Sequence, residues 1–200
     1  MQTASSATTF EQHDLNMSHV ESLLLSRNLK GLLDLVQQLE LQYPTTEMQT
    51  ILLLLALIDH DLVLAQFAVK RSFRDPVNNL NLYRNLTNLM HNLQNDTSEL
   101  GFVDRAYAHN EITGNLIDWL NESIFDRRVR LIIKSYSIIH VSILMRMLGI
   151  KNNERLMEIV RLRQWSLVDG EFVKVCEHHK LNESSGRPGL KHVALLAHQL

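Results

Sequence analysis

The sequence holds one cysteine, three prolines and seven glycines in 200 residues. A lone thiol, Cys176, closes no intrachain disulfide, which suits a reducing compartment. The shortage also removes the separated C-x-x-C pairs of a structural zinc site. Cys176 with His178 and His179 would supply three soft donors where such a site needs four, and a polar tail after a strand is the plainer reading. The longest apolar run, Ile51–Ile58, is eight residues and too short to span a bilayer. The first ten residues, MQTASSATTF, lack a basic stretch and an apolar core, so no secretory signal is expected. No G-x-S-x-G, Walker A, H-E-x-x-H or G-x-G-x-x-G pattern occurs. Asp59-His60-Asp61 sets two carboxylates beside an imidazole, but consecutive residues do not share a helix face, so it reads as a helix joint. Cys176 has no motif of a nucleophile. The expectation is a chain that is not an enzyme, with no catalytic residue, cofactor, metal or small-molecule substrate.

What is present is apolar residue in quantity, 45% of the chain, enough for a sizeable core. Charge is unevenly spread. Residues 1–122 carry 7 Lys/Arg and 15 Asp/Glu, a balance of −8, whereas residues 123–181 carry 11 and 6, a balance of +5. An acidic body joined to a mildly basic module follows, without the overall excess of a dedicated nucleic-acid binder.

Helical periodicity dominates the acidic part. Residues 1–8 are Ser/Thr/Ala-rich and expected to be disordered, and a helical-repeat part is expected over 9–122. Ser18 to Glu21 fits a capping box, Asn28 can cap the next helix, and Leu32, Leu33, Leu35, Val36 and Leu39 form its apolar stripe. Thr46 to Gln49 is a second capping-box candidate. It opens a helix whose Ile51–Ile58 segment is apolar all round and therefore buried. Asp61 caps a helix to Phe73, and Asp75-Pro76 starts another, with Leu80, Tyr83, Leu86, Met90 and Leu93 on one face. A short helix near His109 and two separate helices, Ile112–Leu120 and Ile124–Ser135, complete the series. Successive helix pairs predict a solenoid-like stack, although no fixed-period repeat is present.

Tyr136–Val175 reads differently. A β-like run at Tyr136–Ile139 precedes a helix at Ile143–Leu148 closed by Gly149. A second helix at Glu154–Arg163 follows, then strands Trp165–Val168 and Glu171–Val175. Asp169-Gly170 between alternating apolar runs is a hairpin signal, because both central residues of a type I′ turn need positive φ. Helix, strand, helix, helix, hairpin is the order of a winged helix, placed at 123–176. Arg155, Arg161 and Arg163 lie where such a module would read DNA, but Glu154, Glu158, Asp169 and Glu171 dilute that footprint and disfavour nucleic acid. After a linker, 177–189, the run Leu190–Leu200 is again helical, with Leu190, Val193, Leu196 and Leu200 apolar. So short a helix must dock to be stable.

Tyr136, Ile139, Leu144, Leu148-Gly149, the helix to Arg163, Trp165 and the hairpin together resemble the junction motif of the PCI family. That family is named for the proteasome lid, the signalosome and a translation initiation factor, and in it a helical stack runs into a winged helix. The resemblance implies a mainly α fold and a non-catalytic assembly role. Chains of this size are similar to three kinds of subunit: the smallest, eighth one of the COP-nine signalosome, the k-type one of initiation factor three, and a small proteasome-lid one. The segment LLLLALIDHDLVLAQFAVKRSF is most similar to the signalosome member, in a complex that removes a ubiquitin-like modifier from cullins. The resemblance implies partners but no membrane, a cytoplasmic and nuclear location, and contacts with other PCI proteins through winged-helix edges. It points to Tyr136, Ile139, Trp165, Asp169, Gly170 and Phe172 for those contacts, although Trp165, an aromatic at the start of the hairpin, reads by itself as a core residue that packs the wing against the helices. For Leu190, Val193, Leu196 and Leu200 it implies a helical bundle shared by several subunits. A winged-helix nucleic-acid binder is the alternative of another class.

Overall fold

A computed structural model describes residues 17–42, 44–72, 80–94 and 101–175. It is mainly helical, with a small antiparallel sheet late in the chain, a helical stack followed by a winged helix. Of the described residues, 17–94 and 104–120 form one compact unit, and 101–103 with 121–175 form another.

The first unit begins with α1, residues 17–25. Met17 is already helical, so Ser18 lies past the cap and the first capping-box expectation fails. Helix α1 closes through Arg27, at φ 52°, and Asn28, whose amide donates to the Leu23 carbonyl at 3.0 Å. The Asn28 side chain then accepts from Gly31 N at 3.0 Å and starts α2, Leu29–Gln42, as expected. Helix α3, Thr46–Asp59, is capped by Thr45 rather than Thr46, because the Thr45 hydroxyl accepts from Met48 N at 3.2 Å. The Thr46 carbonyl instead receives the Thr50 hydroxyl at 2.8 Å.

Every residue from Thr50 to Ile58 is buried, so α3 is the axis of this unit. Each fully buried leucine there contributes on the order of 2 kcal/mol of transfer free energy. His60, at φ 63°, ends α3, and Asp61 Oδ1 accepts from Leu64 N at 2.9 Å to cap α4, Leu62–Ser72. Helix α5, Leu80–Gln94, buries Leu82, Leu86, Leu89, Met90 and Leu93. Leu86, Met90 and Leu93 of the expected stripe are thus buried, with Leu82 and Leu89 widening it. Tyr83 stays half-buried because its hydroxyl donates to the Val69 carbonyl at 2.6 Å. The Asp75-Pro76 helix start lies outside the described residues.

The short helix near His109 is a single 3-10 turn, Arg105–Tyr107. The two helices expected next are one, α6, Glu111–Ser135. Asn121-Glu122-Ser123, which separates the two in the sequence reading, sits inside it. Asn121 is buried, and its amide accepts from Val103 N at 2.9 Å and donates to the Val103 carbonyl at 2.8 Å. A side chain held by a neighbouring segment does not compete for its own helix backbone, which removes the usual reason for Asn to end a helix.

In the second unit α6 leads to β1, Ile138–His140, then α7, Val141–Leu148, and α8, Asn153–Leu162. Strands β2, Ser166–Val168, and β3, Phe172–Lys174, complete it. The sheet order is β1-β3-β2, all antiparallel, so β3 is central and β1 and β2 are the edges. Ile132, Ile139, Leu144, Leu148, Leu156, Ile159, Trp165 and Val173 belong to one buried cluster beneath the sheet.

Candidate interaction surface

The surface singled out by sequence is the three-stranded sheet, and its register decides which side chains it presents. Ile139 pairs with Val173, and Val173 with Leu167. Directly paired residues share a face, and this row turns inward at β1 and β3, where Ile139 is 2% exposed and Val173 fully buried, while Leu167 at the β2 edge stays 40% exposed. The alternate rows, Ile138–Lys174–Ser166 and His140–Phe172–Val168, therefore form the outer face. Ile138 is 52% and Phe172 38% exposed there. The His140 and Phe172 rings meet edge to face, 5.2 Å between centroids at 86°. His140 also caps α7, its Nδ1 accepting from Ser142 N at 3.2 Å, so its ring is held from two sides.

Of the residues expected at partner contacts, the sheet brings Phe172 to the outer face and sets Tyr136, 37% exposed, just ahead of β1. Ile139 and Trp165 are buried in the cluster beneath. Their side chains hold the sheet in place rather than presenting apolar surface. Sequence reasoning missed Ile138, His140 and Val168. Alternation alone marks them as one side of a strand, and only the β1–β3 pairing makes that side continuous with Phe172.

Asp169 and Gly170 adopt φ 53° and 75°, as the hairpin signal required. The loop is longer by one residue than a two-residue turn. Val168 pairs with Phe172, which leaves Glu171 as an extra residue, a bulge. Glu171 N donates to the Val168 carbonyl at 3.3 Å, while its own carbonyl receives Val141 N at 2.8 Å. The bulged residue thus ties the wing back to the start of α7.

Electrostatics on the neighbouring helix are mixed. Arg155 and Arg161 share α8 with Glu154 and Glu158. Burial lowers the Arg155 guanidinium from its ordinary value, with Glu158 opposing that shift. Arg163 Nη2 donates to Asp126 Oδ1 at 2.8 Å, which spends one of the three arginines that would face a nucleic acid on a carboxylate of its own unit. Among the described residues no group of three or more His, Cys, Asp or Glu could hold a metal ion. Cys176, His178, His179 and the run Leu190–Leu200, with Leu190, Val193, Leu196 and Leu200, lie outside the described residues.

No curated protein matches the chain. The family model described as the CSN8/PSMD8/EIF3K family matches residues 43–183, which spans α3 to the end of the wing, and the chain belongs to that family.

Proposed function

We propose that the chain is the non-catalytic eighth-type subunit of a COP-nine signalosome, the machine that removes a ubiquitin-like modifier from cullins. The family supports a PCI-type scaffold that works in an assembly of several subunits. The observation that carries the assembly role is the outer face of the winged sheet, apolar at Ile138 and Phe172 and flanked by two edge strands. Unpaired edge groups and exposed apolar side chains together suit strand-on-strand packing with another winged helix. The leucine-rich α3, the Asp61 joint and the Lys70-Arg71 ending of α4 favour the signalosome member within the family.

In this reading Leu190–Leu200 joins a bundle of terminal helices drawn from several subunits, and its apolar stripe would be stabilised at about 25 cal/mol per Å² buried. The complex works in cytoplasm and nucleus. No helix among the described residues is long and apolar enough to cross a membrane.

Affinity purification of the full chain from its own cells, followed by mass spectrometry, tests the assignment. Signalosome subunits are the expected partners. Recovery of initiation-factor or proteasome-lid subunits in their place transfers the chain to one of those complexes.

A further inference from the structure

The helical unit carries a concave surface of its own, remote in sequence from the wing. A groove of about 800 Å³ opens where the end of α2, the start of α3 and the last turns of α4 meet. Its volume falls in the range of sites that enclose a ligand group. Leu41, Pro44 and Phe67 line it on the apolar side, with Leu41 74% and Phe67 54% exposed. Single exposed apolar residues are ordinary on protein surfaces. Two of them bordering one cavity make a wall that water covers poorly.

The charges in the groove are not balanced. Glu40 is 4% exposed, and its carboxylate is 2.5 Å from Arg71 Nη1, so the groove's one anion is already neutralised. Lys70 lines the same space and has no carboxylate partner among the described residues. The groove is therefore locally cationic within a part of the chain, residues 1–122, whose balance is −8. At physiological ionic strength fields fade over about 8 Å, so a docked group responds most to the charges that line the groove.

We propose that this groove is a docking site for a peptide segment of a partner protein that places an aromatic or aliphatic side chain against Phe67 and Leu41 and a carboxylate on Lys70. The site goes beyond the assembly role of the wing and does not depend on it. Phe67 and Lys70 are exposed, so Phe67→Asp and Lys70→Glu leave the fold intact, which far-UV circular dichroism verifies.

The test is selection from a random twelve-residue peptide display library on the full chain, followed by fluorescence anisotropy of the enriched peptides. Enriched sequences should pair an apolar residue with Asp or Glu within one helical turn. Each substitution should weaken their binding about tenfold or more, as loss of roughly 1.4 kcal/mol implies. No enrichment, enrichment of basic peptides, or binding indifferent to both substitutions overturns the proposal. Two further results also overturn it by naming another occupant. One is a dimer in sedimentation that Phe67→Asp dissociates. The other is enrichment seen only after removal of residues 1–16 or 177–200, which assigns the groove to the chain's own tail.

Discussion

The guanidinium of Arg128 lies over the ring of Phe102, 4.9 Å from its centroid, and both close over Gly149. Gly149 ends α7 at φ 70°, and its amide donates to the Arg146 carbonyl. A Cβ added there would stand 3.0 Å from Phe102 Cε2 and 3.3 Å from Arg128 Nη1. Gly149 is needed twice over, for its left-handed backbone and for the space its missing side chain leaves.

Gly149→Ala should therefore cost more than Gly170→Ala. Both residues have positive φ, worth roughly 1–2 kcal/mol against a residue with a side chain. Only Gly149 also has an aromatic ring in the way, whereas a Cβ at Gly170 meets nothing within 4 Å. Thermal unfolding is expected to shift down by about 5–10 °C for Gly149→Ala and by less than half that for Gly170→Ala. Equal shifts would mean that Phe102 yields without cost.

Arg128 is 6% exposed, and burial pulls its guanidinium down from its ordinary range to about 10. The folded state releases that proton before the unfolded state does. The penalty is thus full well below pH 10 and is relieved only as pH rises above about 10, towards the ordinary range of a free guanidinium. At neutral pH it amounts to about 3 kcal/mol, against about 1–2 kcal/mol returned by the contact with Phe102. Arg128→Met, which keeps the bulk and drops the charge, is expected to be neutral or stabilising, by the same amount at pH 6 and pH 9. A loss above about 2 kcal/mol in urea titration would show the charge to be a net benefit.

Asn121→Leu should be among the most damaging substitutions in the second unit. It leaves both the N–H and the carbonyl of Val103 buried without their partner. Unmet buried groups cost about 1–3 kcal/mol each, so a total of about 2–6 kcal/mol is expected from chemical denaturation. Because Val103 is itself 5% exposed, water cannot easily replace the lost amide.

Substitutions on the two faces of the sheet should separate stability from assembly. Ile138→Asp, on the exposed outer face of an edge strand, should move unfolding by under about 1 kcal/mol while reducing co-purification of partner proteins, and Phe172→Asp should reduce it too at a larger cost of about 1–3 kcal/mol, because its ring also packs on His140. Val173→Asp, on the buried face of the central strand, should unfold the second unit outright, because it places an unpaired charge in the core. Deletion of Leu190–Leu200 should likewise spare thermal stability and impair incorporation. A collapse of stability on that deletion would assign the helix to the chain's own core.

Much of the fold was legible because it rests on local rules. Asn28 and Asp61 cap helices because a short polar side chain satisfies first-turn amides wherever a helix begins. Gly149 and Asp169-Gly170 mark turns because positive φ restricts the residues that can occupy them. The winged-helix order came from the same local signals. The candidate surface was only half legible. Phe172 belongs to it and Trp165 is core, as an aromatic at the start of the hairpin suggested, but Ile139 is buried beneath the sheet, and Ile138 and His140 take the exposed places. Burial depends on which strand lies alongside, and an isolated three-residue strand carries no trace of its neighbour.

By itself, then, the sequence determined the order of helices and strands around the winged helix, the caps at Asn28, Asp61 and Gly149 and the burial of α3, since propensity, capping and apolar content act within a few residues of the chain. Tertiary structure decided the rest. It kept α6 continuous through Asn121 by giving that side chain a partner in Val103. It placed β3 between β1 and β2 and so chose which side of each strand faces outward. It also brought Phe67 and Lys70 to the rim of a groove begun by Leu41. Each of these rests on contacts between segments far apart in the chain, and such contacts form only when the helices and strands pack.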